Sequence, residues 1–365
     1  MNQLQNRNRI NAGRITLLLA GMFLIAVTAW SQPGGKAFQF LEMTNSARIG
    51  ALGGDAVAIH DQDPELAYHN PSLLNPDMHH HMALNYVNYF AGTNFGYATA
   101  ATKTGPKGML AGGIHYLYYG TFKGYDENGI ATGKFKAADY SINVMYSRPL
   151  DSLITYGFTV KSIYSDYEAY NATALAIDAG ITYHNPQSKF TIGLTFRNLG
   201  FQVDKYYAEG SNEPLPFNIA LGLSKSLEHA PLTFYIVINH LEKWDLTYTT
   251  QKEREDQEDN EGSLVIDGGS SESKFDKLVD KSMRHIIAGA EFNMGQNLVF
   301  RVGYNYRRRQ ELKIDDKPGM VGFSWGAGLN LNKFRISYGR AIYHLAGGTN
   351  QFSFSMNLDE FYKKF

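Results

Sequence analysis

The sequence predicts an all-β protein: a fourteen-stranded antiparallel transmembrane β-barrel with an N-terminal hatch segment. Three observations carry this. From Met82 onward the chain falls into segments of about 9–11 residues with period-two alternation, whereas ordinary strands run about 5–6. The face opposite the apolar one is small or polar, rich in Gly, Ser, Thr and Asn, which suits a crowded polar lumen better than a solvated surface. The connections between segments are short at every even position and mostly long at odd ones, as in bacterial barrels. A content of 36 Gly, 24 Tyr and 22 Phe in 365 residues fits such a wall, with aromatic side chains at the lipid–water interfaces.

Taken in order, residues 1–31 read as a signal peptide. Arg7, Arg9 and Arg14 form a basic region, residues 15–28 are apolar, and Ala29-Trp30-Ser31 places small residues at −3 and −1 of a cleavage after Ser31. Residues 32–81 lack strand alternation and are rich in small residues and turn formers, with Gly50, Gly53 and Gly54 permitting close backbone approach and Asn70-Pro71 favouring a turn. Residues 82–365 form the barrel, with strands centred near residues 86, 98, 114, 142, 159, 177, 193, 220, 235, 288, 303, 326, 337 and 354. Phe190, Ile192, Leu194 and Phe196 face lipid while Thr191, Gly193, Thr195 and Arg197 face inward; Phe352, Phe354 and Met356 oppose Ser353, Ser355 and Asn357 in the same way. Closure into a barrel is required, because a strand in lipid cannot leave backbone groups unpaired. The long odd connections are expected at residues 120–136, 200–214, 244–282 and 307–320, and the short turns at residues 103–108, 148–152, 184–188, 227–231, 295–297 and 330–333. The final residue, Phe365, resembles the terminal aromatic read by outer-membrane assembly machinery.

Composition excludes several function classes. A mean hydropathy of −0.31 argues against a bundle of membrane helices. Thirty-four Lys and Arg against 35 Asp and Glu leave no basic excess for nucleic acid. With no Cys there is neither a disulfide framework nor a thiol nucleophile. No catalytic, cofactor or metal constellation stands out. His79-His80-His81 is expected to be a solvated loop, since consecutive side chains in extended backbone diverge and no acidic residue lies beside them in sequence.

The inferred lumen face carries Lys161, Asp178, Arg197, Glu291, Arg301 and Arg335. These could select a polar solute, but a paired network filling the barrel is the expectation for charges at membrane depth. The long loop at residues 245–282 holds an acidic run at residues 252–261 and then Phe275, Leu278, Val279 and Met283 at helical spacing, a short amphipathic helix suited to capping the barrel or docking a partner. Arg307, Arg308 and Arg309 form a basic cluster in the next loop, matched in charge to lipopolysaccharide or an acidic partner surface.

The series Ala47-Arg48, Gly50, Gly53-Gly54, Val57-Ala58, Asp61, Asp63, Ala67, Asn70-Pro71, Leu73 resembles the N-terminal hatch of the FadL-like long-chain fatty-acid transporter superfamily, with Tyr68-His69 where a Trp is usual. The mature start, from Phe38-Gln39-Phe40-Leu41 to Gly53-Gly54-Asp55, and the later Arg284-His285 with Gly289-Ala290-Glu291-Phe292 are similar to the PorV/PorQ family of type IX secretion outer-membrane proteins. That resemblance implies a non-enzymatic outer-membrane barrel without cofactors, embedded in outer-membrane lipid. It would anchor the cell-surface attachment complex, holding PorZ alongside PorU and PorV. The superfamily resemblance implies the alternative, an outer-membrane transporter of a hydrophobic solute with the hatch as its gate.

Overall fold

The structure, a computed structural model, describes residues 36–206, 212–247, 274–313, 319–344 and 347–362. The expected signal peptide, the acidic run at residues 252–261 and Phe365 lie outside the described residues.

Fourteen strands follow one another along the chain: β1 His81–Asn88, β2 Asn94–Thr104, β3 Gly108–Tyr125, β4 Ala131–Pro149, β5 Ile154–Tyr167, β6 Tyr170–Asn185, β7 Phe190–Asp204, β8 Asn218–Ser226, β9 Leu232–Ile238, β10 Ile286–Met294, β11 Leu298–Asn305, β12 Phe323–Asn330, β13 Phe334–His344 and β14 Gly347–Asn357. Each pairs antiparallel with its sequence neighbours, and β1 closes on β14 from His81↔Asn357 to Asn88↔Asn350, so the sheet has no free edge. The expected centres all fall within the strands.

The wall is inside-out relative to a soluble protein. Ile114, Ile142, Val160 and Val302 are more than half exposed on the outside. The alternate residues Gly113, Ser141, Lys161 and Arg301 face inward on the same strands, Ser141, Lys161 and Arg301 fully buried among them. An apolar belt of that extent finds its low-energy surroundings in lipid. Tyr116, Tyr140 and Tyr164 stand side by side on β3, β4 and β5, with ring centroids 5.1 and 6.2 Å apart, part of an interfacial girdle. No described helix is long and apolar enough to cross a membrane, which says nothing of strands.

All six even connections are short, as expected. The odd connections, expected to be mostly long, are long in three cases of seven. Residues 120–136, expected as a loop, continue the β3–β4 hairpin to a turn at residues 126–130, with Phe122 and Phe135 stacked across it at 5.4 Å. Cross-strand aromatic pairing keeps the strands together beyond the lipid. The connection after β5, from Tyr167 to Tyr170, is also tight, and two residues of sequence separate β13 from β14. The long connections lie after β7, β9 and β11 only. Helix α2 (Lys274–Met283) and helix α3 (Tyr306–Leu312) sit in the last two of these.

The N-terminal segment is a chain of short turns. A 3-10 turn at Gln39–Glu42 and helix α1 (Ala47–Ala51) are followed by 3-10 turns at Pro64–Tyr68, Pro71–Leu73 and Pro76–Met78. The last three share one device: Asp63, Asn70 and Asn75 each accept a hydrogen bond from the N–H two residues on (3.1, 3.0 and 3.0 Å), and a proline fills the first helical position. Proline has no N–H to leave orphaned there, and the Asx side chain satisfies the next one.

Candidate functional site

Residues 36–80 lie inside the barrel and obstruct it. Wall side chains supply hydrogen bonds to the backbone of this plug: Ser224 Oγ donates to the Ala58 carbonyl (2.7 Å), Ser324 Oγ to Ala51 (2.9 Å) and Asn305 Nδ2 to Gly53 (3.2 Å), while the Ala47 N–H donates to Ser353 Oγ (3.0 Å). Asn70, from the resemblance series, donates to the Val57 carbonyl (2.7 Å) and to Thr182 Oγ1 (3.1 Å), tying a turn of the plug to β6.

Where the plug comes closest, the wall carries glycine. Gly157, Gly180, Gly193, Gly222, Gly289, Gly303, Gly326 and Gly339 come from eight different strands. They pair directly across the sheet as Gly157↔Gly180, Gly193↔Gly222, Gly289↔Gly303 and Gly326↔Gly339. A methyl group on any of the eight would come within 3.0 Å of a plug atom, among them Pro71, Asn70, Val57, Leu52 and Ala47. Glycine inside a strand marks close approach of another backbone. Gly53 and Gly54 are the plug's counterparts, both at positive φ (107° and 106°), Gly53 against Ile287 and Gly54 against the Arg308 guanidinium.

The lumen charges form two layers, and in each one wall charge, Glu291 or Arg197, takes a plug residue as its partner. In the first, Arg48 grips Glu291 of β10 with two hydrogen bonds (Nε 2.7 Å, Nη2 2.8 Å), reaches Asp61 at 2.5 Å and Asp63 at 3.5 Å, and Arg301 Nε of β11 donates to the same Glu291 Oε1 as Arg48 Nε, at 2.7 Å. Tyr235 OH also donates to Glu291 (2.5 Å). The Arg48 and Glu291 stretches that carry the family resemblance therefore meet in one buried ion pair. In the second layer Arg197 of β7 binds Asp55 through both oxygens (3.0 and 2.6 Å), and His69 Nδ1 lies 2.7 Å from Asp55 Oδ1. Burial by itself would raise the Asp55 carboxyl, but Arg197 and then His69 outweigh it and hold it far below the usual carboxylate range. Asp61 is likewise held low against burial, chiefly by Arg48 and then Arg335. Glu65 is the opposite case. Burial, reinforced by Asp63, pushes it well above the ordinary value, and its oxygens accept from Ser46 Oγ (2.7 Å) and Ser353 Oγ (3.1 Å).

Lys161 and Asp178 pair within the wall at 2.8 Å, where a bulge opens the β6–β7 register. Lys161 also donates to Asn198 Oδ1 (2.7 Å). Arg335 Nε donates to Asn330 Oδ1 (3.0 Å). The expectation of a paired network thus describes the geometry, with Arg48 and Asp55 as the members that sequence reading missed. A signal for them existed: the wall charges read from the sequence are four cations against two carboxylates, and Asp55, Asp61 and Asp63 of the plug add acids beside them. The Tyr68-His69 departure is also accommodated, with Tyr68 OH donating to the Leu41 carbonyl (2.9 Å) and His69 Nε2 lying 2.8 Å from Asn45 Oδ1.

Among the described residues a cavity lies on each side of the plug, and the two share no lining residue. That at the loop end, about 260 Å³, is bordered by Asp55, Arg197, Asn218, His240, Arg308 and Tyr343. That at the turn end, about 420 Å³, is bordered by Arg48, Asp61, His184, Glu291, Arg301 and Arg335. Both are polar.

The basic cluster expected at Arg307, Arg308 and Arg309 is not a single patch, because α3 splays its members. Arg307 pairs with Glu311 (3.7 Å), and Arg309 donates to the Gly319 carbonyl (2.7 Å). Arg308 turns into the loop-end cavity over the Tyr343 ring, 4.1 Å from its centroid. Helix α2 forms where expected. Its polar side is tied down by Asp280, which accepts from Tyr306 OH (2.8 Å), and by Lys281, which pairs with Asp245 (2.7 Å). Its apolar residues Phe275, Leu278 and Val279 are exposed at the rim. His79 and His80 do not diverge as expected, and an acidic residue does lie beside them. His80 adopts φ 56°, so its ring does not diverge from that of His79 but lies 3.7 Å from it, and Asp359, distant in sequence, sits 2.6 Å from His80 Nδ1.

No protein-family model matches the chain, and no curated protein does. Solved structures match in fold. The chain is similar to a crystal structure of the Pseudomonas putida toluene transporter TodX (14% identity, 87% of this chain and 99% of that one, TM-score 0.48) and to a Pseudomonas aeruginosa FadL homologue (11% identity, 86% and 98%, TM-score 0.47). A deletion mutant of the TodX monoaromatic hydrocarbon channel reaches a TM-score of 0.51 at 13% identity, over 86% of this chain and 98% of that one. The last of these likenesses bears on the fold alone, a closed antiparallel barrel.

Proposed function

We propose that the protein is a non-enzymatic outer-membrane barrel, closed by its own N-terminal segment, that anchors a cell-surface protein assembly, in line with its resemblance to the PorV/PorQ family. The observation that supports this reading is the plug itself: it is seated on glycines, hydrogen-bonded by the wall and ion-paired through Arg48 and Arg197, with no more than small cavities bordering it among the described residues. A lumen so filled suits a membrane fixture. The rim offers α2, with its exposed Phe275, Leu278 and Val279, as docking surface. By the resemblance, the occupants would be PorZ with PorU and PorV; anionic lipopolysaccharide is a further partner for the rim arginines.

A second reading is a FadL-like transporter of a hydrophobic solute, with the plug as gate. Its support is the likeness in architecture to TodX, which is a toluene transporter. Pull-down of the tagged barrel from native outer membranes in gentle detergent, with proteins and lipids identified by mass spectrometry, separates the two. Stoichiometric recovery of a large surface protein with a sortase-like protease is expected; recovery of the barrel alone, loaded with an apolar solute, would overturn the anchor reading in favour of transport.

A further inference from the structure

We infer that His79, His80 and Asp359 form a binding site for a divalent transition-metal ion, Zn2+ above all, which staples the closing seam of the barrel at its turn end. One ligand atom from each of the three residues lies within 4.8 Å of the others. A tetrahedral zinc ion draws its ligand atoms to roughly 3.3 Å apart, with bonds of about 2.0–2.2 Å, so small side-chain rotations complete the site. Two imidazoles and a carboxylate are donors of the right softness, and with only three protein ligands a water takes the fourth position.

The scaffold explains why residues so far apart in sequence meet. His80 lies between the plug and β1, and its backbone is clamped on both sides. Its N–H donates to the Ala101 carbonyl (2.9 Å), and its carbonyl accepts from the Leu358 N–H (2.9 Å) just beyond β14. Asp359 opens the short helix α4 (Asp359–Tyr362), and its N–H is held by Asn357 Oδ1 (2.9 Å). The left-handed backbone at His80 (φ 56°), uncommon for a residue with a side chain, turns its ring onto the same side as that of His79. His79 is less firmly held: its Nδ1 accepts from the Lys103 N–H at 3.2 Å, a long bond that coordination would replace. An ion here would link the plug's exit and the entry to β1 with the chain that leaves β14. It would therefore lock the β1–β14 seam, the pairing with the largest sequence separation in the wall.

The test is zinc titration by calorimetry on the full-length barrel in detergent, with ZnCl2 as the probe, together with melting of the barrel in zinc and in EDTA. One equivalent of zinc is expected to bind and to raise the melting temperature, reversibly with EDTA. H79A, H80N and D359N should each weaken binding at least tenfold and abolish the zinc-dependent shift. H80N retains a residue tolerant of the left-handed backbone, and D359N keeps the side-chain shape, so both variants should fold. Removal of the distant turn residue by H229A should change nothing. Absence of stoichiometric binding, or binding that survives H80N and D359N, overturns the site.

Discussion

The plug is held to the wall in two unlike ways, which lie side by side on strands such as β7, β10 and β11. Over the glycine doublets of β5–β8 and β10–β13 the contact is steric: the backbone approaches so closely that a methyl group does not fit. In the Arg48–Glu291–Arg301 and Asp55–Arg197 layers the contact is electrostatic, between charged groups that are nearly all deeply buried. The first is indifferent to protons and sensitive to volume; the second is the reverse. A lumen that used ion pairs alone would open in acid, and one that used glycine alone would have little to fix the plug's register.

Removing a charge should give the largest effect. R48A leaves Asp61 and Asp63 without their guanidinium and Glu291 with Arg301 alone, and breaking a buried pair in this way costs about 3–5 kcal/mol. Larger and more frequent openings in planar-bilayer conductance are expected, and an unchanged trace would show that the ion pairs do not retain the plug. Adding volume comes next. G193A sets a methyl group against the Val57 carbonyl, and overpacking of this kind costs about 1–3 kcal/mol. Accelerated proteolysis of residues 36–80 in the folded barrel would be the readout; wild-type resistance would mean that the bed yields easily.

A pH titration should separate the two modes. The carboxyls of Asp55 and Asp61 are held below their ordinary range. Their contribution is therefore complete above the unfolded carboxylate value of about 4 and is lost as acid takes the pH down through their depressed folded values. Conductance should rise on acidification below about pH 4, by less in R197A, which has already lost one pair; an equal rise in both would place the acid response elsewhere. The smallest effect belongs to Glu65. Its raised folded value means that its contribution is complete below the ordinary glutamate value and lost as pH rises through the folded one. E65Q should flatten the alkaline side of plug retention and leave the acid side unchanged, and a shifted acid limb would contradict that assignment.

Much of the wall was legible in the sequence. Lys189-Phe190-Thr191-Ile192-Gly193-Leu194 alternates so regularly that its two faces could be assigned with no structure, because a period of two admits only one division between lipid and lumen. The residues 120–136 misled for a related reason. Their Gly and charged residues read as a loop, but once the strands leave the bilayer they need no apolar face, and the Phe122–Phe135 pair sustains the hairpin without one. The basic run Arg307–Arg309 looked like one patch in sequence; a helix turns successive residues by about 100°, and α3 sends them three ways.

By itself, then, the sequence determined the strands, their facing, the short turns and the need to close, because each follows from local periodicity and from the cost of unpaired backbone in lipid. It also held the glycines and the charges, but not their meaning. That Gly193 seats Val57, that Arg48 takes Glu291 and that Asp359 reaches His80 was decided only by the tertiary structure. These partners are separated by more than a hundred residues of chain, and only the closing of the barrel around its own N-terminal segment brings them within contact distance.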